Sequence, residues 1–532
     1  MKRGVYLKRR TTLLVVLVTV LFQLTLFPVA ANADQWAPVD PAYGTNQVAV
    51  AVTDQTLVQD FSDIIGIAPS SDGLPNDGNQ AICTSVASSG PCNFHAPGDL
   101  ATGSILLPVC TQATQSNCIA TVSIGTSATT MEPATFVRAT QGPSFPGIPS
   151  MGMPEGSTVS LWQSSVVNAA GTTTYAADVA LNYQPNGLGA SGLSLSAQIQ
   201  PYSQVSGAYV VPDPQVVKDS TGVSRVEFIG AASSCAWTEA GTCGLREDFA
   251  PGTFASMSIR VTNSISGWFF GRLQSPSISV QPFNATSQLL NITGEAMTVP
   301  SLEVTSPFPT LSPAFQSFFS YNGYPVALFN NLLDTISPNM PQAFVAIDDL
   351  RVRANNTASG LTTVWTMNTY MAGGNPCIGD GSKILGLVTT NAMAYDGSVP
   401  AFANGFFTYH VAGMHYLPDG SVASGTYDMI MADSVARCLY GFTNAPISAT
   451  ISVSENSGVE NIATTTVSDS GGWLHLGAYN FNFSDPVISM HLTQAVAKKA
   501  VKRRSLTCVR GSSRVIVRGV RPICPIGFRV HK

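Results

Sequence analysis

Along most of the chain, short segments of alternating apolar and polar residues are broken by turn residues, and the longest unbroken succession runs from Gly405 to Gln494. There Ile447, Ala449, Ile451 and Val453 alternate with Ser448, Thr450 and Ser452, the pattern of a strand with one buried face. Just upstream, two half-alternating segments flank Pro418-Asp419-Gly420-Ser421. Proline presets φ and glycine tolerates positive φ, so a hairpin is predicted whose pairing sets His415 near Ser424 and Val411 near Asp428. Segments 173–181 and 193–199 read as strands by the same criterion. The trio Trp268, Phe269 and Phe270, inside the segment from Ser266 to Arg272, has alternating apolar neighbours and is expected in a core.

One interval breaks the pattern. Between 312 and 336, Ser312-Pro313 and Tyr324-Pro325 place proline where a first helical turn accepts it, and Leu328, Phe329, Leu332 and Leu333 recur at helical spacing. Two short helices with a core-facing stripe are predicted. The fold class is therefore mainly β: two or more antiparallel β-sandwich-like domains, a short helical insertion and a small basic C-terminal hairpin. The organisation that follows is a signal peptide over 1–33, an irregular β domain over 34–250 and a strand-rich segment over 251–311. The helical insertion occupies 312–341, a β-sandwich-like domain 342–494, and a basic linker with a closed tail 495–532.

Export is read from the N-terminus. Lys2, Arg3, Lys8, Arg9 and Arg10 precede an uncharged apolar run from Leu13 to Leu26, and Ala31-Asn32-Ala33 supplies a cleavage site. The expected location is extracellular or at the cell envelope, and no transmembrane segment is expected in the mature chain. A charged fraction of only 11% fits an extracellular, turn-rich β protein. Charge is sharply segregated: residues 34–494 hold all 31 acidic and 10 basic residues, a formal −21, whereas 495–532 hold 11 basic and no acidic ones. A tail so unlike its body has a separate role.

The 10 cysteines form an even set, as expected of an exported disulfide protein. Three neighbouring couples close short loops and are paired locally: Cys83 with Cys92, Cys110 with Cys118, and Cys235 with Cys243. Cys377 with Cys438 and Cys508 with Cys524 complete the framework. No C-x-x-C occurs and no histidine stands at ligand spacing, which disfavours zinc.

Motifs of catalysis are sparse. The glycine-rich segment 187–192 matches the dinucleotide fingerprint in letters only, because an alternating strand pattern follows where a helix is required. His410, His415 and Asp428 suggest acid–base or metal chemistry, but imidazoles five residues apart on a strand face opposite sides. Asp348 and Asp349, read as strand neighbours, point apart and do not make a glycosidase pair. Asp72, Asn76, Asp77 and Asn79 offer oxygen ligands to calcium without EF-hand spacing; no cofactor is otherwise expected.

The tail, with Thr507-Cys508-Val509-Arg510-Gly511 and 522–528 (PICPIGF), resembles a C-terminal unit of uncharacterised secreted proteins of actinobacteria. Gly267 to Arg272 and Arg437 to Phe442 resemble segments of the same proteins. The resemblance implies a cell-envelope setting and no known reaction. The functional expectation is a secreted structural or adhesive protein without catalytic activity, held on anionic envelope polymers by Lys498, Lys499, Lys502, Arg503, Arg504, Arg510, Arg514, Arg518 and Arg521. Alternatives are a glycan-active hydrolase and a glycan-binding protein, and docking of the tail on an acidic body offers a route to self-association. Nucleic acid is not an expected partner of an exported chain.

Overall fold

The computed structural model describes residues 47–54, 61–68, 78–93, 100–183, 193–218, 222–230, 234–318, 320–321, 324–325, 333–370, 376–379, 382–443, 447–455, 460–461, 464–483, 486–494 and 504–531. The architecture is mainly β, and its backbone is one long sheet. Its strands lie in the order Gln80–Ile82, Asp63–Ile67, Leu100–Leu106, Thr174–Tyr183, Leu193–Ser206, Gly360–Tyr370, Gly267–Pro282, Ile384–Thr390, Ser424–Ala432, Trp473–Asn482 and Thr464–Ser470. Strands from the stretches 34–250, 251–311 and 342–494 thus share one set of hydrogen bonds. The junction is the parallel pairing of Gly267–Pro282 with Ile384–Thr390.

Because side chains alternate between faces, one sheet can carry separate cores above and below. On one face Leu181, Ala197, Met367, Phe269 and Leu387 pack against a second layer built from Cys118–Gly125, Phe254–Thr262 and Ser287–Pro307. On the opposite face Trp268, Val388, Met429, Met431 and Leu476 meet the smaller sheet containing Phe406–Ala412, Pro486–Gln494 and Ile447–Glu455. As expected, Trp268, Phe269 and Phe270 are all buried, and they serve both cores because consecutive residues point to opposite faces. A third cluster joins Val48, Val50, Val52 and Leu302 to a helix, Pro341–Leu350.

The predicted hairpin is half right. The turn forms: Leu417 N–H donates to Ser421 O at 2.8 Å, and Gly420 takes φ 84°. The flanking strands then part, Phe406–Ala412 pairing with Pro486–Gln494 and Ser424–Ala432 with Ile384–Thr390 and Trp473–Asn482. Both segments carry large apolar residues on the faces turned toward each other. Phe407, Tyr409 and Val411 therefore stack on Tyr427, Met429 and Met431 as opposite walls of a sandwich, with the Tyr409 and Tyr427 rings 5.2 Å apart. The predicted pairing of Val411 with Asp428 does not occur; Val411 pairs with Tyr395, and Asp428 with Thr389 and Gly477.

The helical interval also differs. Pro313–Phe318 is helical as predicted, but Tyr324–Pro325 and Leu333–Ile336 are strands, the latter parallel to Gln47–Val52. Leu328, Phe329 and Leu332 lie outside the described residues. The second helix is Pro341–Leu350, where proline opens the first turn and Ala343, Ala346, Ile347 and Leu350 form the buried stripe at helical spacing. Asp348 and Asp349 accordingly sit on a helix, not a strand. Asp349 Oδ2 accepts the backbone N–H of Ser312 at 2.5 Å, linking the two helical pieces.

All five disulfides form as paired from the sequence: Cys83–Cys92, Cys110–Cys118, Cys235–Cys243, Cys377–Cys438 and Cys508–Cys524. By the loop-entropy model each short closure adds roughly 2–3 kcal/mol of stability, and the closure from 377 to 438 somewhat more. Such a framework fits a chain that folds outside the reducing cytoplasm.

At the junction of the two sandwiches lies a fully buried guanidinium. Arg272 Nε and Nη2 donate to the two carboxylate oxygens of Asp54 at 2.8 and 2.7 Å, while Nη1 donates to the carbonyls of Thr390 and Ala392 at 2.6 and 2.7 Å. Tyr395 stacks beneath it, 4.4 Å from the ring centroid. Removing one partner leaves an uncompensated buried charge, which costs about 3–5 kcal/mol. Asp54→Ala is expected to lower unfolding free energy by that amount in urea titration, and the double variant Asp54→Leu/Arg272→Met by markedly less. Equal stability of Asp54→Ala and the unmodified protein would remove the junction's role.

Candidate functional site

Three groups of residues are candidates for function, and each is placed by strand register. The first is the tail, where Arg504–Arg510 pairs with Ser513–Gly519 on one side and with Arg529–Val530 on the other. Alternation puts Arg514, Arg518 and Arg529 on one face, around Val509 and Ile516, and Arg504 and Arg510 on the other, around Cys508 and Val515. All five arginines are exposed, as is Arg521 in the loop that the Cys508–Cys524 disulfide closes. The predicted hairpin is thus a three-stranded unit, and the sequence-predicted cations in it are presented to solvent. Lys498, Lys499, Lys502 and Arg503 lie outside the described residues. Several aliphatic side chains accompany the arginines, Ile516, Val520, Ile523 and Ile526 among them, all largely exposed.

The second is a recess of about 130 Å³ on the long sheet, lined by Ser104, Asp178, Asn182, Gln198, Thr366 and Asn368 together with Ser196. These side chains share one face across four strands. Asp178 pairs with Gln198 and Gln198 with Thr366, while Ser196 pairs with Asn368 and Ser104 with Asn182. The reverse face of the same strands is core. Beside it, Trp237 of the Cys235–Glu239 and Thr242–Arg246 hairpin clusters with Ala176, Ala180 and Tyr202, and Arg272, paired with Asp54, stands next to Thr366 in the sheet. A hydrogen-bond chain fixes the Asn182 amide, with Ser104 Oγ donating to Oδ1 at 2.5 Å and Nδ2 donating to Ser196 Oγ at 2.7 Å. Asp178 is the one carboxylate among the described lining residues. The described lining thus supplies one carboxylate of the two that a glycosidase uses.

The third involves the histidines. His410 does not meet Asp428; its Nδ1 lies 3.0 Å from Asp396 Oδ2, which also accepts the His410 backbone N–H at 3.0 Å. His415 packs edge-on against Tyr416, with its backbone N–H donated to Asn356. Asp428, fully buried, instead pairs with His475 Nε2 at 2.8 Å and accepts the hydroxyl of Tyr479. Sequence reasoning missed both partners, although Trp473-Leu474-His475-Leu476-Gly477 alternates visibly; a partner 47 residues away is set by sheet order, which periodicity does not encode. Gly477 gives the Tyr479 hydroxyl room to fold across it; a Cβ there would meet that hydroxyl and displace it. Burial, reinforced by Asp428, raises the Tyr479 pKa, so this phenol stays a donor. Of the loop proposed for calcium, Asp72, Asn76 and Asp77 lie outside the described residues, as does segment 187–192; Asn79 accepts the backbone N–H of Ser224. Among the described residues, no group of three or more His, Cys, Asp or Glu side chains is arranged to hold a metal ion.

The hydrogen bond to Asp396 raises the pKa of His410 from its ordinary 6.5, against a smaller opposing effect of burial. Because the folded state holds this proton more tightly than the unfolded chain, the stabilisation is fully present below 6.5 and fades as pH rises through the raised folded value. The ring is more than half exposed, so screening keeps the contribution small. Asp396→Asn is expected to return the His410 titration, followed by NMR, to the ordinary histidine range. An unchanged midpoint would show that the carboxylate does not act on the ring.

No protein-family model, curated protein or solved structure matches the chain.

Proposed function

We propose that the protein is a secreted, envelope-associated structural or adhesive protein whose basic tail holds it on anionic polymers of the cell surface. The observation that carries this reading is the presentation of the tail arginines. Residues 495–532 hold 11 basic and no acidic side chains, and a disulfide-closed sheet spreads the arginines over both faces. A rigid scaffold loses less conformational entropy on binding than a flexible run of the same charge. Each guanidinium offers planar, bidentate hydrogen bonds to phosphate or carboxylate. Binding of this kind releases condensed counterions and weakens as salt rises. The disulfide framework and the resemblance of the tail to units on secreted proteins support the setting. The acidic body, at a formal −21, is a poor ligand for an anionic surface, which leaves the tail as the attachment point.

The test compares the mature protein with a form ending at Gln494 and with the triple variant Arg514→Ala/Arg518→Ala/Arg529→Ala. Cell fractionation at rising salt is expected to retain the mature protein, to lose the truncated form and to weaken the triple variant. On immobilised polyphosphate, the slope of log affinity against log salt should fall by about one for each contacting arginine removed. Equal retention of all forms sinks the proposal. Salt-dependent oligomers of the purified protein, without polyphosphate binding, would instead assign the tail to the acidic body of a second copy.

A further inference from the structure

The recess on the long sheet is lined mainly by polar side chains. Here Asp178, Asn182, Ser196, Gln198, Thr366 and Asn368 are all half-buried around the recess. A face destined for a core would be apolar, as the reverse side of the same strands is. The chain thus lines the open recess mainly with hydrogen-bonding groups.

The chemistry of the described lining narrows the ligand class. Among the described residues no lysine, arginine or histidine lines it, and the adjacent Arg272 has its guanidinium nitrogens committed to Asp54, Thr390 and Ala392, so the described lining offers an anion no counter-charge. Among the described lining residues the apolar ones are Leu106, Ala180 and Ala197 and none is aromatic, a small apolar contribution for a lipid or an aromatic group. What remains is a mixture of donors and acceptors around one carboxylate. The Asn182 amide is fixed by Ser104 and Ser196, which leaves the Ser196 hydroxyl proton to donate outward. Among the described residues, the Thr366 hydroxyl and the Asn368 amide bond to no protein group. Adjacent hydroxyls of a sugar ring each donate and accept. They match a carboxylate acceptor flanked by amides and hydroxyls. A single water needs roughly 10–15 Å³ of such volume, so the recess accommodates a group on the order of ten non-hydrogen atoms.

We propose that this recess is a binding site for one ring of a neutral saccharide, with Asp178 accepting from vicinal hydroxyls and Asn368 and Thr366 fixing the ring's far edge. The site is separate from the tail, so the protein would hold an anionic polymer through one module and a neutral glycan through another.

The experiment uses the full mature chain and the methyl glycosides of glucose, galactose, mannose and N-acetylglucosamine, with affinity read by calorimetry and location by amide NMR shifts. At least one glycoside is expected to bind and to shift resonances on the strands Thr174–Tyr183, Leu193–Ser206 and Gly360–Tyr370. Asp178→Asn, which keeps shape but removes a charged acceptor, should weaken binding about tenfold or more. Ala180→Phe should abolish binding by filling the recess. Thermal melting of both variants checks that the fold persists, and Asn368→Leu provides a second polar deletion if Asp178→Asn proves unstable. Arg514→Ala/Arg518→Ala should leave saccharide affinity unchanged, so that failure of tail anchoring and failure of this site are separable. Failure of every glycoside in the panel to bind overturns the ligand class. Binding that survives both Asp178→Asn and Ala180→Phe overturns the site.

Discussion

Arg272 is a charge that the protein has removed entirely from water, and the architecture depends on its being satisfied. An isolated guanidinium in this position would be prohibitive, yet four hydrogen bonds and a stacked tyrosine ring surround it. Its partners come from three places in the chain: Asp54 just after the strand Gln47–Val52, the carbonyls of Thr390 and Ala392 at the end of Ile384–Thr390, and Tyr395 beyond them. Satisfying one side chain therefore fixes where the N-terminal strand, the long sheet and the second sandwich meet. Such a requirement discriminates between arrangements more sharply than apolar contact does, because a misplaced neighbour leaves the charge unpaired.

That junction explains how one sheet supports two sandwiches on opposite faces. Strand Gly267–Pro282 sends Phe269 into one core and Trp268 and Phe270 into the other. Each half of the sheet is covered on one side, which leaves the other side of each half open or only partly walled. The polar recess occupies the open face of the first half, and the Asp428–His475–Tyr479 group the equivalent face of the second. Surfaces available for binding are thus a consequence of the offset packing. The tail stands apart from this logic: its small sheet is closed by a disulfide, and its side chains are mostly exposed on both faces. A unit with so little apolar burial relies on the crosslink for its shape.

Much of this was legible in the sequence where the controlling physics is local. Alternation along Ile447–Glu455 and 193–199, the turn at Pro418-Asp419-Gly420-Ser421 and the helical start at Pro313 all follow from backbone sterics and the two-residue or helical period. The disulfide couples followed because closing neighbours in sequence costs the least entropy, which also favours Cys377 with Cys438 and Cys508 with Cys524 over the two longer alternatives. Segregation of charge marked the tail as a separate unit, and alternation within it dictated which arginines share a face.

Other features were decided only by tertiary structure. Whether Phe406–Ala412 and Ser424–Ala432 pair or stack depends on what each finds across its apolar face, and here stacking buries both sets of large side chains against each other. Leu333 joined a strand because Gln47–Val52 offered it an open edge, a partner far away in sequence. Asp428 found His475 rather than a histidine of its own turn, and Arg272 found Asp54, for the same reason: sheet order sets side-chain company, and periodicity carries no information about order. The alternation in the sequence determined that this chain would be built of half-buried strands and closed by disulfides. The order in which those strands meet, and with it every polar cluster that spans them, was settled by the few packings that leave no charge buried alone.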